Sequence, residues 1–288
     1  FADLSVRGNQ YGRVIPDYSV VIFDEAHLIE DVASEYFGFQ VSNFQIADLL
    51  RDLEMLSIDE AAGMRKISKS TVRLGTLSEQ FWSRFTSARL DGRYPIRPEI
   101  FLQSGKPTPL GEIYEGIDEL LQRLSTLLEP LAGDSAETES LLRRVRQVRF
   151  ELEFIVTQTE KNFVYWLERK GRGFYLKSSP IDVSELLREK LFERIESCVL
   201  TSATLAGGSG FDFIRSRLGL DDANTETLVA ESSFDYEQQA LLYLPRSMPD
   251  PRSPEFTQIA ANEIVRILHL TQGRAFVLCT SNQSMSAL

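Results

Sequence analysis

The stretch from residue 20 to residue 27 reads Val20-Val21-Ile22-Phe23-Asp24-Glu25-Ala26-His27. Its first four residues are apolar and mostly β-branched, which is typical of a strand buried on both faces of a parallel sheet. The polar residues follow at once, so they fall at the carboxyl end of the strand, where open α/β sheets place their ligands. Apolar residues then recur at helical spacing from Leu28 to Phe37. The pattern therefore predicts a strand-to-helix junction at the two acids.

The adjacent carboxylates of Asp24 and Glu25 can divide two chemical tasks. One carboxylate at a strand tip can hold a Mg²⁺ ion that bridges nucleotide phosphates, and its neighbour can accept a proton from an attacking water. The competing interpretation is an acidic helix start that favours the helix dipole. The apolar strand directly before the acids favours the metal-and-phosphate interpretation. His27 is one of only two histidines, so no histidine metal cluster is predicted.

The bulk composition limits the class of protein. The chain has 288 residues, 43% of them hydrophobic and 25% charged, which is ordinary for one large or two smaller globular domains. The net charge of −11 excludes a uniformly basic nucleic-acid module but allows local basic strips. Cys198 and Cys279 sit in apolar runs without a CxxC pair, so a reduced, cytoplasmic setting is expected. No apolar run approaches the roughly 20 residues of a membrane span.

The middle of the chain, from about residue 41 to residue 162, is predicted to be mostly helical. Ser42 or Asn43 can cap the first helix. The density of Gly and Pro in residues 91–111 predicts a loop. The apolar stripes at helical spacing run over residues 46–56, 64–89, 113–131 and 141–155.

Strand signals return after this helical region. Residues 163–176, with a Gly-containing turn, predict a β-hairpin. Residues 198–200 predict a second buried strand, followed by Thr201-Ser202-Ala203-Thr204. Hydroxyls there can simply cap a helix, but two parallel strands would bring them to the same sheet edge as Asp24 and Glu25. Further strands at 241–244 and 275–279, around a helix at 255–270, complete the predicted elements.

Several phrases, taken in order, resemble one family. They are Asp24-Glu25-Ala26-His27, Ser179-Pro180-Ile181-Asp182-Val183-Ser184, Leu200-Thr201-Ser202-Ala203-Thr204-Leu205, Phe234-Asp235-Tyr236 with Gln239, and Gly273-Arg274-Ala275-Phe276-Val277-Leu278 before Thr280-Ser281. The first and third resemble motifs II and III of superfamily 2 helicases, and the set is most similar to the DinG-type branch related to XPD. The order agrees with that family over nearly the whole chain.

The resemblance implies RecA-like, P-loop-NTPase-type parallel-sheet lobes that use ATP and Mg²⁺ to move on single-stranded or forked DNA. Asp24 would bind Mg²⁺ and Glu25 would activate water. The coupling group, His27 with Ser202, Ala203 and Thr204, would link nucleotide state to DNA. Thr280 and Ser281 would lie near the DNA backbone. Translocation would run 5′ to 3′ and serve repair or replication.

The same resemblance implies a domain layout. Residues 1–40 and 178–206 would belong to the first lobe, residues 41–177 to a mostly helical Arch-like insertion ending in a β-hairpin, and residues 207–288 to the start of the second lobe. The sequence has no GxxxxGK[ST] phosphate loop. We therefore interpret it as an internal part of a longer protein and expect it to be inactive alone. An iron–sulfur cluster would belong to a preceding segment.

Basic patches supply a separate argument for DNA. Arg65, Lys69 and Arg73 are four residues apart and would share one helix face. A second group is Arg143, Arg144, Arg146 and Arg149. A third places Lys170, Arg172 and Lys177 among Tyr165, Trp166, Phe174 and Tyr175, as stacking platforms for single strands do. Each patch could instead be a solvated basic face.

Two other functions compete with the helicase interpretation. One keeps the fold without the motor, as a module that docks DNA or protein partners. The other is an unrelated metal-dependent phosphohydrolase that uses Asp24 and Glu25.

Overall fold

The computed structural model describes residue 4 and residues 15–56, 61–86, 90–133, 135–208 and 210–288. The chain divides into two compact units, Phe1–Leu228 and Val229–Leu288. Helices accompany both parallel and antiparallel sheets, which confirms the α/β class. None of the described helices is long and apolar enough to cross a membrane.

The elements are named here in chain order. The strands are β1 (Val20–Phe23), β2 (Phe39–Ser42), β3 (Gly92–Pro95), β4 (Leu102–Gln103), β5 (Lys106–Pro107), β6 (Phe163–Lys170), β7 (Gly173–Pro180) and β8 (Ser197–Leu200). The helices are α1 (Ile29–Tyr36), α2 (Asn43–Met55), α3 (Ala61–Ser83), α4 (Pro109–Leu128), α5 (Ala136–Thr157), α6 (Ser184–Lys190), α7 (Asp212–Leu218), α8 (Tyr236–Gln239), α9 (Phe256–Leu270) and α10 (Asn282–Ala287).

The two strands predicted to be buried do pair with each other, but the predicted burial on both faces is wrong. Val20 and Ile22 are 55% and 69% exposed, because within the described residues β1 and β8 form a two-stranded sheet that packs on the apolar core through Phe23 and Leu200. β1 and β8 run parallel, with Val20 opposite Ser197 and Phe23 opposite Leu200. Behind them α1, α6 and α7 share one apolar core, so residues from both ends of the first unit pack together. Its buried members include Ala26, Ile29, Ala33, Val183, Leu187, Ile214 and Leu218.

The region between these strands has a core of its own. Helices α2 to α5 share one apolar core with a four-stranded sheet in the order β2-β7-β6-β3, and α2 and α5 contact its strands β2 and β7. The apolar stripes and the β-hairpin are thereby confirmed, except that the helix predicted over 64–89 ends at Ser83. Residues 87–89 lie outside the described residues. Ser42 is the N-cap of α2, since its hydroxyl accepts from the Gln45 backbone N–H at 3.0 Å.

The prediction of a loop over residues 91–111 is partly wrong. This segment contains β3 and the short β4–β5 hairpin, and α4 already begins at Pro109. The Thr108 hydroxyl caps α4 by accepting from the Gly111 N–H at 3.1 Å. Proline is compatible with the first helical turn because its missing N–H has no partner there anyway.

The second unit corrects two further predictions. The strands predicted at 241–244 and 275–279 are irregular, whereas the predicted helix is present as α9. A strand requires a neighbour to receive its backbone hydrogen bonds, and within residues 229–288 none is paired. Leu241 and Phe276 are 93% and 95% exposed. Apolar runs alone therefore predicted strands that have no pairing partner in this unit.

Among the described residues, one buried carboxylate lies in the core of α2 to α5. Glu151 on α5 is 8% exposed. Its Oε1 accepts from Gln147 Nε2 at 2.8 Å, while Oε2 has no hydrogen-bond partner among the described residues. Burial raises the pKa of Glu151 above its ordinary value, partly offset by hydrogen bonds from Gln147 and Gln45.

We expect Glu151→Gln to raise the free energy of unfolding at pH 7 by about 1 kcal/mol, because it removes a desolvated negative charge. With a folded pKa above the unfolded one, ionisation opposes folding at neutral pH but not below the unfolded pKa of about 4.3. The gain should therefore shrink as the pH falls through the folded pKa toward 4. Urea denaturation followed by circular dichroism measures it. The exposed Glu153→Gln on the same helix should change stability by less than about 0.5 kcal/mol; a loss of stability in Glu151→Gln at pH 7 would contradict the expectation.

Candidate active site at the tips of β1 and β8

The backbone joins the two strand tips. The Ala26 N–H donates to the Thr201 carbonyl at 3.0 Å, and the Thr201 N–H donates to the Phe23 carbonyl at 2.9 Å. Ala26 is fully buried, so this junction is held from inside the fold. The polar residues that follow β1 and β8 lie next to this junction and are mostly exposed.

Glu25 turns the chain at the end of β1. Its φ of 51° and ψ of 43° lie in the left-handed region, which non-glycine residues rarely occupy. The Glu25 N–H is held by the Asp24 carboxylate, whose Oδ1 accepts it at 3.0 Å. The sequence does not predict this conformation. Such backbone outliers concentrate at functional sites.

The predicted side chains from the two strands meet. His27 Nδ1 lies 2.8 Å from Ser202 Oγ and 3.2 Å from Glu25 Oε2, and Ser202 Oγ lies 3.3 Å from Glu25 Oε2. Thr204 Oγ1 is 3.4 Å from Ser202 Oγ. A single assignment of hydrogens satisfies the first three contacts. In it, His27 Nδ1–H donates to Ser202 Oγ and Glu25 Oε2, and the Ser202 hydroxyl donates to Glu25 Oε2. The structure thus brings Glu25, His27, Ser202 and Thr204 together, with Asp24 beside them.

Asp24 has the chemistry to hold Mg²⁺. The ion is commonly bound by one or two carboxylates together with phosphates and waters. Asp24 is exposed, and only its Oδ1 is engaged with the backbone. Among the described residues no three His, Cys, Asp or Glu side chains are grouped as a metal site. The residues present therefore fit an ion that is held mainly by phosphate and by one carboxylate.

Ala203 lies between the two hydroxyl residues and is exposed. A residue that sequence reasoning missed is Arg217 of α7, which forms an ion pair with Glu30 in the first turn of α1. It fastens α7 to the helix that follows His27. No local signal marks Arg217, because its partner is 187 positions away.

The strip of Arg65, Lys69 and Arg73 is exposed along α3 and borders an open groove of about 870 Å³. Helix α3 carries four cations, these three and Lys66, and a single acid, Glu79. Within the described residues none of the three strip cations forms an ion pair. The strip is thus a concentrated, unneutralised positive surface.

The second arginine group behaves differently. Each member pairs with a carboxylate, Arg143 with Glu139, Arg144 with Asp52, Arg146 with Glu129 and Arg149 with Asp118. The Asp118 hydrogen bond also raises the pKa of Arg149. Arg144 and Arg149 join α5 to α2 and α4, whereas the Arg143 pair lies within α5. This patch is therefore neutralised by neighbouring carboxylates.

Thr280 and Ser281 lie in the second unit. Ser281 is the N-cap of α10, where its hydroxyl accepts from the Ser284 N–H at 3.0 Å. Both residues are exposed. A role for them at DNA stays a prediction.

The fold and the site together are those of an α/β protein with a polar site at the carboxyl ends of adjacent parallel strands. No known protein-family profile matches the chain. The chain is 29% identical over 289 residues to the ATP-dependent DNA helicase YoaA of Haemophilus influenzae, covering 100% of this chain and 44% of that protein. It is 30% identical over 299 residues to the ATP-dependent DNA helicase YoaA of Escherichia coli, with the same coverage.

A more distant match is the 3'-5' exonuclease DinG of Bacillus subtilis, 24% identical over 94% of this chain and 34% of that protein. The chain spans less than half the length of these curated relatives. The matches confirm the resemblance to DinG-type helicases that the motifs indicate.

The left-handed backbone of Glu25 can be tested by comparing two substitutions. We expect Glu25→Gly to unfold with a free energy about 1 kcal/mol higher than Glu25→Ala, because only alanine carries the left-handed penalty. At exposed, helical Glu119 the order should reverse by a similar amount, since glycine disfavours a helix interior. Chemical denaturation of the four variants measures both differences. The same order at both positions would refute a strained turn.

Proposed function

We propose that this chain supplies the acid-bearing half of an ATP-hydrolysis site in a DinG-type DNA helicase. The observation that carries the proposal is the contact of Glu25 and His27 with Ser202 across the tips of β1 and β8. The names of the YoaA relatives, ATP-dependent DNA helicases, support it. The whole protein would translocate on single-stranded DNA, 5′ to 3′, and open forked or duplex DNA in repair or replication.

Each site residue has a separate role in this proposal. The Glu25 carboxylate accepts the proton of the attacking water, while Ser202 and His27 hold its Oε2 in place. Asp24 holds Mg²⁺, which when bound neutralises charge on the phosphates. A displacement of Glu25 on hydrolysis would pull on Ser202, which directly follows β8. The hydroxyls of Ser202 and Thr204 thereby couple nucleotide state to the second strand.

The domain layout belongs to the same proposal. Residues 1–40 and 178–206 form the end of a RecA-like lobe, and residues 41–177 form an Arch-like insertion, which has its own core. The second lobe starts within 207–288. Because Ile214 and Leu218 of α7 pack with α1 and α6, a boundary nearer residue 228 is favoured over one at 207. The cytoplasmic location and an iron–sulfur cluster in a preceding segment rest on the sequence alone.

The strip of Arg65, Lys69 and Arg73 is proposed to hold the DNA backbone. Cations one helical turn apart can contact successive phosphates, and sequence-independent binding of this kind is electrostatic. Support comes from the missing ion pairs of the three side chains among the described residues, in a chain whose net charge is −11.

In the full-length protein we expect Glu25→Gln to abolish DNA-stimulated ATP hydrolysis and to preserve ATP binding, because the amide cannot accept the proton of water. A loss of about 10²–10⁴-fold in kcat is the expected scale for a general base. Phosphate release and equilibrium nucleotide binding measure the two effects. Glu119→Gln, on the exposed face of α4, is the matched control. Normal turnover in Glu25→Gln would exclude the proposed role.

The chain by itself should show no measurable ATPase activity, because it contains the acids and no phosphate-binding loop. Phosphate release is compared with and without single-stranded DNA. Hydrolysis that Glu25→Gln removes would mean that this chain holds a complete site, and would favour the phosphohydrolase alternative.

Charge reversal of Arg65, Lys69 or Arg73 should weaken binding of single-stranded DNA. The slope of log K against log salt should fall by about 0.7 for each phosphate that the variant no longer neutralises. Fluorescence anisotropy across a salt series measures both quantities. Arg123→Glu, an exposed cation on α4, changes the net charge equally and should leave the slope unchanged. Equal slopes in all variants would remove the strip from the DNA site.

A further inference from the structure

The four-stranded sheet β2-β7-β6-β3 has one face that does not pack on the helical core. Directly paired residues of antiparallel strands share a face. Leu167 pairs with Leu176 and Tyr94, and all three pack in or against the core. The alternate pairs, Trp166 with Lys177 and Glu168 with Tyr175, therefore belong to the opposite face. We call this opposite face the outer face.

The outer face separates the aromatic residues of the hairpin into two sets. Tyr165 and Phe174 pack against the helical core. Trp166 and Tyr175 lie on the outer face and are partly exposed. They are diagonal neighbours on adjacent strands, at the spacing at which two large side chains can form a continuous surface. The sheet thus presents two aromatic rings side by side.

The surroundings of these rings are positively charged. Residues 91–95 and 163–180 comprise β3, β6, β7 and their turns, and they contain two acids, Asp91 and Glu168. The same residues contain five cations, Arg93, Arg169, Lys170, Arg172 and Lys177. Arg169 pairs with Phe174 and so belongs to the inner face. The other four cations still exceed the two acids by two, in a chain whose net charge is −11. A polyanion is the partner that this distribution favours.

Trp166 is held in place by its charged neighbours. The Arg93 guanidinium lies 5.6 Å from its ring centroid, and the Arg93 side chain is 71% exposed. Glu168 contacts both Arg93, at 3.5 Å, and Lys177, at 2.9 Å, and so holds the two cations beside the ring. Because the ring is already ordered in the free protein, a stacking partner would lose little affinity to its immobilisation.

We propose that the outer face is a second binding surface for single-stranded DNA, where bases stack on Trp166 and Tyr175 and phosphates lie against Arg93 and Lys170. This rests on the proposed function for its substrate. Aromatic rings flanked by cations are the combination by which single strands are bound without sequence preference. Trp, Tyr and Arg are also common at protein interfaces, but Lys and Glu are depleted there. Lys177 and Glu168 on this face therefore favour the nucleic acid over a protein partner.

Tryptophan fluorescence provides a direct test. The chain has two tryptophans, and Trp82 is only 6% exposed. Titration of the chain with a short oligothymidylate should therefore quench Trp166 and leave Trp82 unchanged. Trp166→Phe should lose the quenching while it keeps part of the affinity. This measurement does not depend on a disruptive substitution.

Affinity is measured in parallel by anisotropy of a labelled oligothymidylate and of a strand of equal length without bases. We expect Trp166→Ala to bind the oligothymidylate about tenfold more weakly, which is the usual scale for one stacked base. It should bind the abasic strand as the unsubstituted chain does. Lys170→Glu should weaken both strands. Phe150→Ala, on a ring that is 54% exposed outside this face, is the control and should change neither.

The outcomes separate this inference from the proposed function. Absence of quenching, or an equal weakening of both strands in Trp166→Ala, would overturn stacking on the outer face. Binding that is lost only in the Arg65, Lys69 and Arg73 variants would overturn it as well and leave the helicase proposal intact. An unchanged ATPase in full-length Glu25→Gln would overturn the helicase proposal without affecting the quenching.

Discussion

The parallel pairing of β1 with β8 is the constraint on which the candidate site depends, and the region between these strands permits it. His27 and Ser202 are 175 positions apart, but the intervening region closes on itself where it begins and ends. Phe39 of β2 lies opposite Ser178 of β7. Gly38 makes this closure possible, since a Cβ there would lie 2.3 Å from the Ser178 carbonyl oxygen. With the base closed, only short segments remain to be ordered before the strand tips meet.

The two cores of the first unit support different surfaces. The core of α1, α6 and α7 supports the exposed polar tips, and its buried Ala26 anchors them. The larger core of α2 to α5 supports a sheet and a basic helix. In that second region two arginines of α5 bind neighbouring helices, in the pairs Arg149–Asp118 and Arg144–Asp52. The three strip cations of α3 have no ion pair among the described residues. The cations that stabilise helix packing are therefore different from those that could bind a polyanion.

Local patterns predicted much of this structure. The run Val20–Phe23 with its acids, the helical stripes, the hairpin and the cap at Ser42 all follow from side-chain periodicity and capping chemistry, which act over a few residues. The errors in the second unit have one origin. The apolar runs at 241–244 and 275–279 have strand composition without paired neighbours, and strand formation requires a second chain segment. The three basic groups likewise looked alike until the positions of the carboxylates were known.

The sequence by itself determined which residues are candidates for the chemistry, because a carboxylate pair after an apolar strand and hydroxyls after another are local features. Only the tertiary structure decided that they touch. Parallel register sets Phe23 opposite Leu200, and from that follow the contacts of Ser202 with Glu25 and His27. The left-handed turn at Glu25 and the placement of Trp166 on the outer face also depend on tertiary structure. Each depends on which distant backbone lies alongside, and residue spacing along the chain does not contain that information.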